Sequence, residues 1–259
     1  MEGYAIRQIA QQSGYSTRTI RRIVAQHLEC PPELSTDLVS CRHVILDGTA
    51  FERRRGIFAV MDAASSSIVH AACGVMETPV DLVPFCASLA DRGARLVGAT
   101  IDGNPHLPAI LRSYWPKIII QRCLIHVRRQ GLMWCRRFPK RTDAKHLRSL
   151  FWHLDSIETE MQRDSFLEQV NAWEKRYGSR IAEETERGWV ASDLKRARSM
   201  LLGAAPHMFH YLRHRAIPKS TNALEGYFGR LKKLYRQHPG LSSHHRDAYL
   251  KWYLRLCPR

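Results

Sequence analysis

No apolar run in this 259-residue chain approaches the roughly 18 residues that a membrane helix needs. Residues 1–30 carry Glu2, Arg7, Gln11 and Gln12 and lack the apolar stretch of a secretory signal. Internal repeats and low-complexity tracts are missing too. These absences disfavour membrane, secreted and collagen-like chains. Acidic residues are scarce, with 24 Asp+Glu against 40 Lys+Arg and a formal charge of +16. Cysteines number seven, an odd count without an export signal, so a reducing compartment and small buried thiols are expected. What is present in ordinary amount is apolar residues, at 44%, enough for a folded core and too many for a disordered chain.

The positive surplus points to a polyanionic partner, nucleic acid first. It is unevenly placed. Residues 122–148 hold nine Lys/Arg and one acid, Asp143, and residues 191–259 hold fourteen Lys/Arg and three acids. Between them, residues 151–190 carry nine Asp/Glu and five Lys/Arg. Two basic blocks flanking a helical segment of opposite sign suit a channel for a phosphate backbone; each block also reads as a solvated helix face.

Residues 5–28 read AIRQIAQQSGYSTRTIRRIVAQHL. Ile6, Ile9 and Ala10 mark a short amphipathic helix, and Ser13-Gly14-Tyr15 breaks it, since Gly accepts a positive φ. Ser16 or Thr17 caps a second helix with Ile20, Ile23 and Val24 inward. The spacing resembles a helix-turn-helix. In that family the second helix enters the major groove, which implies that Thr17, Arg18, Arg21 and Arg22 face DNA. The alternative is a plain helical hairpin with a basic face. Pro31 and Pro32 mark a linker over about 30–42.

From His43 the pattern alternates. HVILDGTAF, GIFAVMDA and SIVHAACGVM read as three strands of an antiparallel meander. The helix VDLVPFCASLADRG, the strand ARLVGATIDGN, the helix LPAILRSYW and the strand KIIIQRC follow. Strands joined through helices should be parallel. A mostly helical stretch spans about 124–213, and a last strong helix, STNALEGYFGRLKKLYRQ, begins near Ser220. The fold class is α/β.

Two strands are expected to end in Asp-Gly, at Asp47 and Asp102. Open α/β sheets place functional groups just beyond strand termini, although Asp-Gly also serves turns for backbone reasons alone. Glu225 is the third acid, and Asn222-x-x-Glu225 also has the spacing of a capping box. Carboxylates from two strand ends and one helix suit two magnesium or manganese ions. Two such ions can activate a water or a 3′-hydroxyl against a phosphodiester. Asp62, Glu52 and Asp247 are competing acids, Asp62 the foremost.

This element order, with Asp47, Asp102 and Glu225, resembles the ribonuclease-H-like DDE transposases. LDGTAF, IDGN, QRCLIHVRRQ and STNALEGYFGRLKK look like the Mutator-like group and its bacterial insertion-sequence relatives, over about residues 43–250. The resemblance implies a ribonuclease-H-like mixed sheet with a helical insertion at about 124–213. It implies metal-dependent strand cleavage and strand transfer on double-stranded DNA, at the ends of the enzyme's own element and at a target. A homodimer or larger assembly, working in the bacterial cytoplasm at the nucleoid, goes with it. The domain organisation is then 1–29 helix-turn-helix, 30–42 linker and 43–259 catalytic domain. The chain is short for that family, which suggests a compact enzyme or a missing upstream portion.

Around the triad, Arg122, His126, Arg128 and Arg129 are candidate DNA contacts, as are Asn222, Arg230, Lys232 and Lys233. Glu225 and Lys232 are seven apart and share a helix face. Cys123-x-x-His126 also reads as half of a zinc site completed by Cys135 or His146, but a buried thiol and a His aimed at the acids fit better. His207-x-x-His210 reads as packing. Trp152, Trp173 and Trp189 are expected as core anchors. Two rivals remain: a regulator that binds DNA without cutting, and a structure-selective nuclease of the same fold.

Overall fold

A computed structural model describes residues 5–33, 38–52, 55–184, 188–238 and 241–259. Its centre is one mixed sheet built from His43–Glu52 (β1), Arg55–Asp62 (β2), Ile68–Cys73 (β3), Gly98–Ile101 (β4) and Ile119–Arg122 (β5). The order is β3-β2-β1-β4-β5. The first three strands pair antiparallel, and β1, β4 and β5 pair parallel. The helices Pro79–Asp91 (α3) and Leu107–Tyr114 (α4) form the crossovers that parallel strands require.

Side-chain alternation gives the sheet two apolar faces. Val44, Leu46, Phe58, Val60 and Val69 pack with Leu82, Phe85 and Leu89 of α3 and with Leu107 and Leu111 of α4. Ile45, Ile57, Ala59, Met61 and Ile68 pack on the opposite face against Asn222–Tyr235 (α9) and Ser243–Leu256 (α10). A third core lies in the insertion. It is formed by Leu124–Trp134 (α5), Thr142–His153 (α6), Glu160–Glu183 (α7) and Trp189–Ala204 (α8).

Asp143 ties that insertion together. Its carboxylate is fully buried and accepts bonds from Arg141 at 2.8 Å and Arg180 at 2.6 Å. Burial alone would raise its pKa, but the two guanidiniums hold it below the usual carboxylate range.

At the N-terminal end, Ile6–Ser13 (α1) stops at Gly14, whose φ of 73° is left-handed. Thr17–Glu29 (α2) follows, and its Ser16 cap accepts from the Thr19 amide. Ala10 and Ile20 are buried as expected, whereas Ile23 faces outward at 37% exposure. Ile23 is exposed because α2 turns its C-terminal half onto α10. Leu28 joins the sheet-side core, Trp252 Nε1 donates to the His27 carbonyl at 2.7 Å, and His245 bonds Glu29 at 2.9 Å.

Three further expectations need correction. β1 does not end at Asp47-Gly48. It runs on to Glu52 because antiparallel β2 keeps pairing, Asp47 with Ala59 and Gly48 with Phe58. Helix α10 lies beyond the last helix expected from sequence. Its polar opening, Ser243-His244-His245-Arg246, masks the buried Ala248, Tyr249, Leu250, Tyr253 and Leu254 behind it. Of the three tryptophans, only Trp173 is a core anchor, donating to the Asp143 carbonyl at 3.0 Å; Trp152 is 53% and Trp189 78% exposed. No helix among the described residues is long and apolar enough to cross a membrane.

Candidate active site

Strand register brings the two aspartates together. Leu46 of β1 pairs with Ile101, the last residue of β4. The next residues, Asp47 and Asp102, therefore lie side by side where the parallel pairing stops. Asp47 shares the parity of Ile45 and so points to the α9 face. There Glu225, in the first turn of α9, walls the same cavity of about 350 Å³. Gly48, Thr49, Glu77, His126, Phe228, Gly229 and Lys232 complete the walls.

A fourth acid was not legible in the sequence. Glu77, in the loop between β3 and α3, offers a carboxylate oxygen within 4.8 Å of those of Asp47 and Asp102. It reaches them through the space left by Gly48, where a Cβ would lie 2.5 Å from Glu77 Oε1. Buried Asn104 braces the group. Its Nδ2 donates to the Glu77 carbonyl at 2.9 Å and its amide to Asp102 Oδ1 at 2.9 Å. Its Oδ1 accepts from the His106 and Leu107 amides at the start of α4. The signal available in sequence was Gly48 itself, a glycine inside a strand, which marks a close approach.

The cluster is electrostatically loaded. Burial, then the neighbouring Asp102, push Asp47 up to about 7, against the pull of His126 and the Gly48 amide. Burial and Asp102 likewise raise Glu77. Arg122 braces Asp102 from behind by donating to its backbone carbonyl. Half-buried, it is engaged with the protein rather than open to solvent.

Cys123-x-x-His126 forms a joint where the insertion leaves and returns. The amide of Thr221, the cap residue of α9, donates to Cys123 Sγ at 3.3 Å. The Leu124 amide donates to the Lys219 carbonyl at 3.0 Å. Thr221 Oγ1 lies 3.3 Å from both His126 Nδ1 and Glu225 Oε1. His126 Nε2 is 3.7 Å from Glu225 Oε1. The hydrogen bond to Cys123, with Glu225 and Asp47 nearby, raises the His126 pKa against its desolvation. Arg129 holds the other Glu225 oxygen at 3.4 Å. Glu225 is thus not a capping-box partner of Asn222: the helix begins at Asn222 and its cap is Thr221.

The zinc alternative finds no support. Cys135 is buried in the insertion core and the His146 ring bonds Tyr177. Among the described residues, Asp47, Glu77 and Asp102 are the only group of three with metal-ligand spacing. Asp62 is not an auxiliary ligand. Its carboxylate accepts from the Ser65 amide and hydroxyl at 2.8 and 2.7 Å, closing the β2–β3 turn at the far end of β2. Asp247 sits on α10, and the Glu52 side chain lies outside the described residues.

The remaining candidates are spread over the surface. Thr17, Arg18, Arg21 and Arg22 are exposed on α2, and Asn222, Arg230 and Lys233 on α9. Lys232 shares the Glu225 face, as the seven-residue spacing predicts, and reaches the cavity. Arg128 points the other way, to Asp155 at 3.1 Å and over the Trp152 ring.

The cavity thus sets carboxylate oxygens beside Lys232, with Arg129 on the outer oxygen of Glu225. The family model of the Mutator-family transposases matches residues 77–239, more than half of the chain, and the chain belongs to that family. The matched stretch opens at Glu77 and includes Asp102, the Cys123–His126 joint and Glu225; β1 with Asp47 precedes it. No curated protein matches the chain.

Proposed function

We propose that this transposase is a DDE enzyme that cuts and rejoins double-stranded DNA at the ends of its own insertion sequence, with Asp47, Asp102 and Glu225 as its catalytic carboxylates. The observation that carries the reading is their convergence on one cavity in a chain of this family. The sheet order, with three antiparallel strands and two parallel additions, supports a ribonuclease-H-like core. The separate apolar core of α5–α8 supports a helical insertion within 43–259. The α1–α2 pair, read as a helix-turn-helix over 1–29, presents Thr17, Arg18, Arg21 and Arg22 for DNA.

Asp47 and Asp102 have metal-ligand spacing and Glu225 lines the same cavity; hard carboxylate oxygens of this kind fit magnesium or manganese, two ions in this reading. Such ions, when bound, supply charge neutralisation at the scissile phosphate and an activated water or 3′-hydroxyl. Asp47 from within β1 and Asp102 just past the end of β4 would hold them, and Glu225 would close the site from α9. Lys232 and Arg129 draw the phosphate backbone to the cavity mouth, and His126 orients Glu225. No side chain forms a covalent intermediate with DNA. A homodimer or larger assembly would bring two ends together.

The test is Asp102→Asn on DNA carrying the element's end. Magnesium-dependent nicking should fall about a thousandfold or more, equivalent to roughly 4 kcal/mol in the barrier, with DNA affinity retained. Nicking at the wild-type rate contradicts the assignment. The rival reading, a DNA-binding regulator, draws on the hold of His126 and Arg129 on Glu225. It requires that the wild-type chain bind the end and never nick it.

A further inference from the structure

Glu77 has no counterpart among the three acids of the DDE reading, yet it is the one that closes with Asp47 and Asp102. Glu225 stands outside that grouping, with its two oxygens engaged by His126 and Arg129. Three features build Glu77 into the cluster. Its loop is tethered to Asn104, which also holds Asp102. Asn104 is itself fixed by the His106 and Leu107 amides, which donate to its Oδ1 at the start of α4. Gly48 leaves open the space that Glu77 Oε1 occupies, at the cost of a side chain in the middle of a strand.

His126 lines the same cavity and offsets part of the charge of Asp47 and Glu77, but its ring is engaged with Thr221 and Glu225. Arg129 is taken by Glu225, and Arg122 bonds the Asp102 backbone rather than its carboxylate. Asp47 is buried, and three carboxylates this close, opening onto one cavity, offer a divalent cation a ready-made set of oxygen donors.

We propose that Glu77 is a metal ligand of this site and that, with Asp47 and Asp102, it binds a divalent cation in the DNA-free protein, before Glu225 takes part. The proposal deepens the metal-dependent reading above and rests on it. Glu77 enters from the α3 face through the Gly48 gap, and Asp47 from the α9 face. The cation is therefore gripped from both sides of the sheet. Glu225, held by Arg129, becomes available once a DNA phosphate competes for that guanidinium.

The test is Mn2+ titration of the full chain without DNA, followed by electron paramagnetic resonance of the free ion. Glu77→Gln should weaken Mn2+ binding about tenfold or more, and Glu225→Gln by less than about twofold. The metal-free melting temperature of Glu77→Gln should equal or exceed that of the wild type, because one of three crowded charges is gone. Gly48→Ala, which displaces Glu77 without altering a ligand, should lose affinity comparably and add little to Glu77→Gln. Wild-type Mn2+ affinity in both Glu77→Gln and Gly48→Ala overturns the proposal. So does a lower melting temperature of Glu77→Gln with affinity unchanged, which would mark a structural brace. Asp102→Asn separates the layers. If it too binds Mn2+ like the wild type, the metal reading itself fails; if it alone loses binding, only the role of Glu77 fails.

Discussion

Asp47 sits in a strand interior, 8% exposed, between two other carboxylates. Without metal its folded pKa of about 7 stands well above the ordinary 3.8. A carboxyl raised on folding stabilises the folded state fully below its unfolded pKa and loses that contribution as pH rises through the folded value. Between about pH 4 and pH 7 the metal-free protein should lose stability from this group at up to about 1.4 kcal/mol per pH unit. Asp47→Asn should remove that slope and melt higher than the wild type at pH 8, an outcome that thermal melts across pH check directly. Metal affinity should fall as pH drops below 7, because protons then compete for Asp47. At this scale Asp47 and Asp102 were legible, because Asp-Gly after an apolar run is a visible signal. Glu77 was not. It lies in an aperiodic loop, and its approach depends on a missing side chain at Gly48 and on a hydrogen bond to Asn104.

The elements show the same division. Strands β1–β5 and helices α3–α5 follow from apolar alternation and helical period, and their order was legible throughout. Where tertiary pairing decides, sequence falls short. β1 outruns its Asp-Gly because β2 continues beside it. Ile23 turns outward because α2 docks on α10, a helix that local pattern did not reveal. That docking ties the C-terminal half of α2 to the sheet and leaves its first turns, with Arg18, Arg21 and Arg22, exposed. Replacing these three arginines with alanine should weaken DNA binding. It should also make log K against log salt shallower by up to about 0.9 for each phosphate that an arginine no longer neutralises. An unchanged slope in a binding titration from low to high salt would remove α2 from the DNA interface.

Across the whole molecule, the acidic stretch of residues 151–190 does not form a repelling face. Asp155 pairs with Arg128, Glu158 with Lys219, Glu160 with Arg213 and Glu174 with Arg198. These ion pairs join the acidic stretch to the two basic blocks that flank it in sequence. Lys232 and His126 line the acidic cavity and Arg129 sits on Glu225 at its wall, so the molecule offers carboxylates inside with cationic groups around them. The polarity suits a site that holds cations inside and phosphate across its mouth. The most direct measurement is the anomalous signal of Mn2+ in crystals of the full chain. The account predicts a peak in ligand contact with both Asp47 and Asp102, inside the cavity bounded by Glu225. A peak elsewhere, or none at saturating Mn2+, would contradict it.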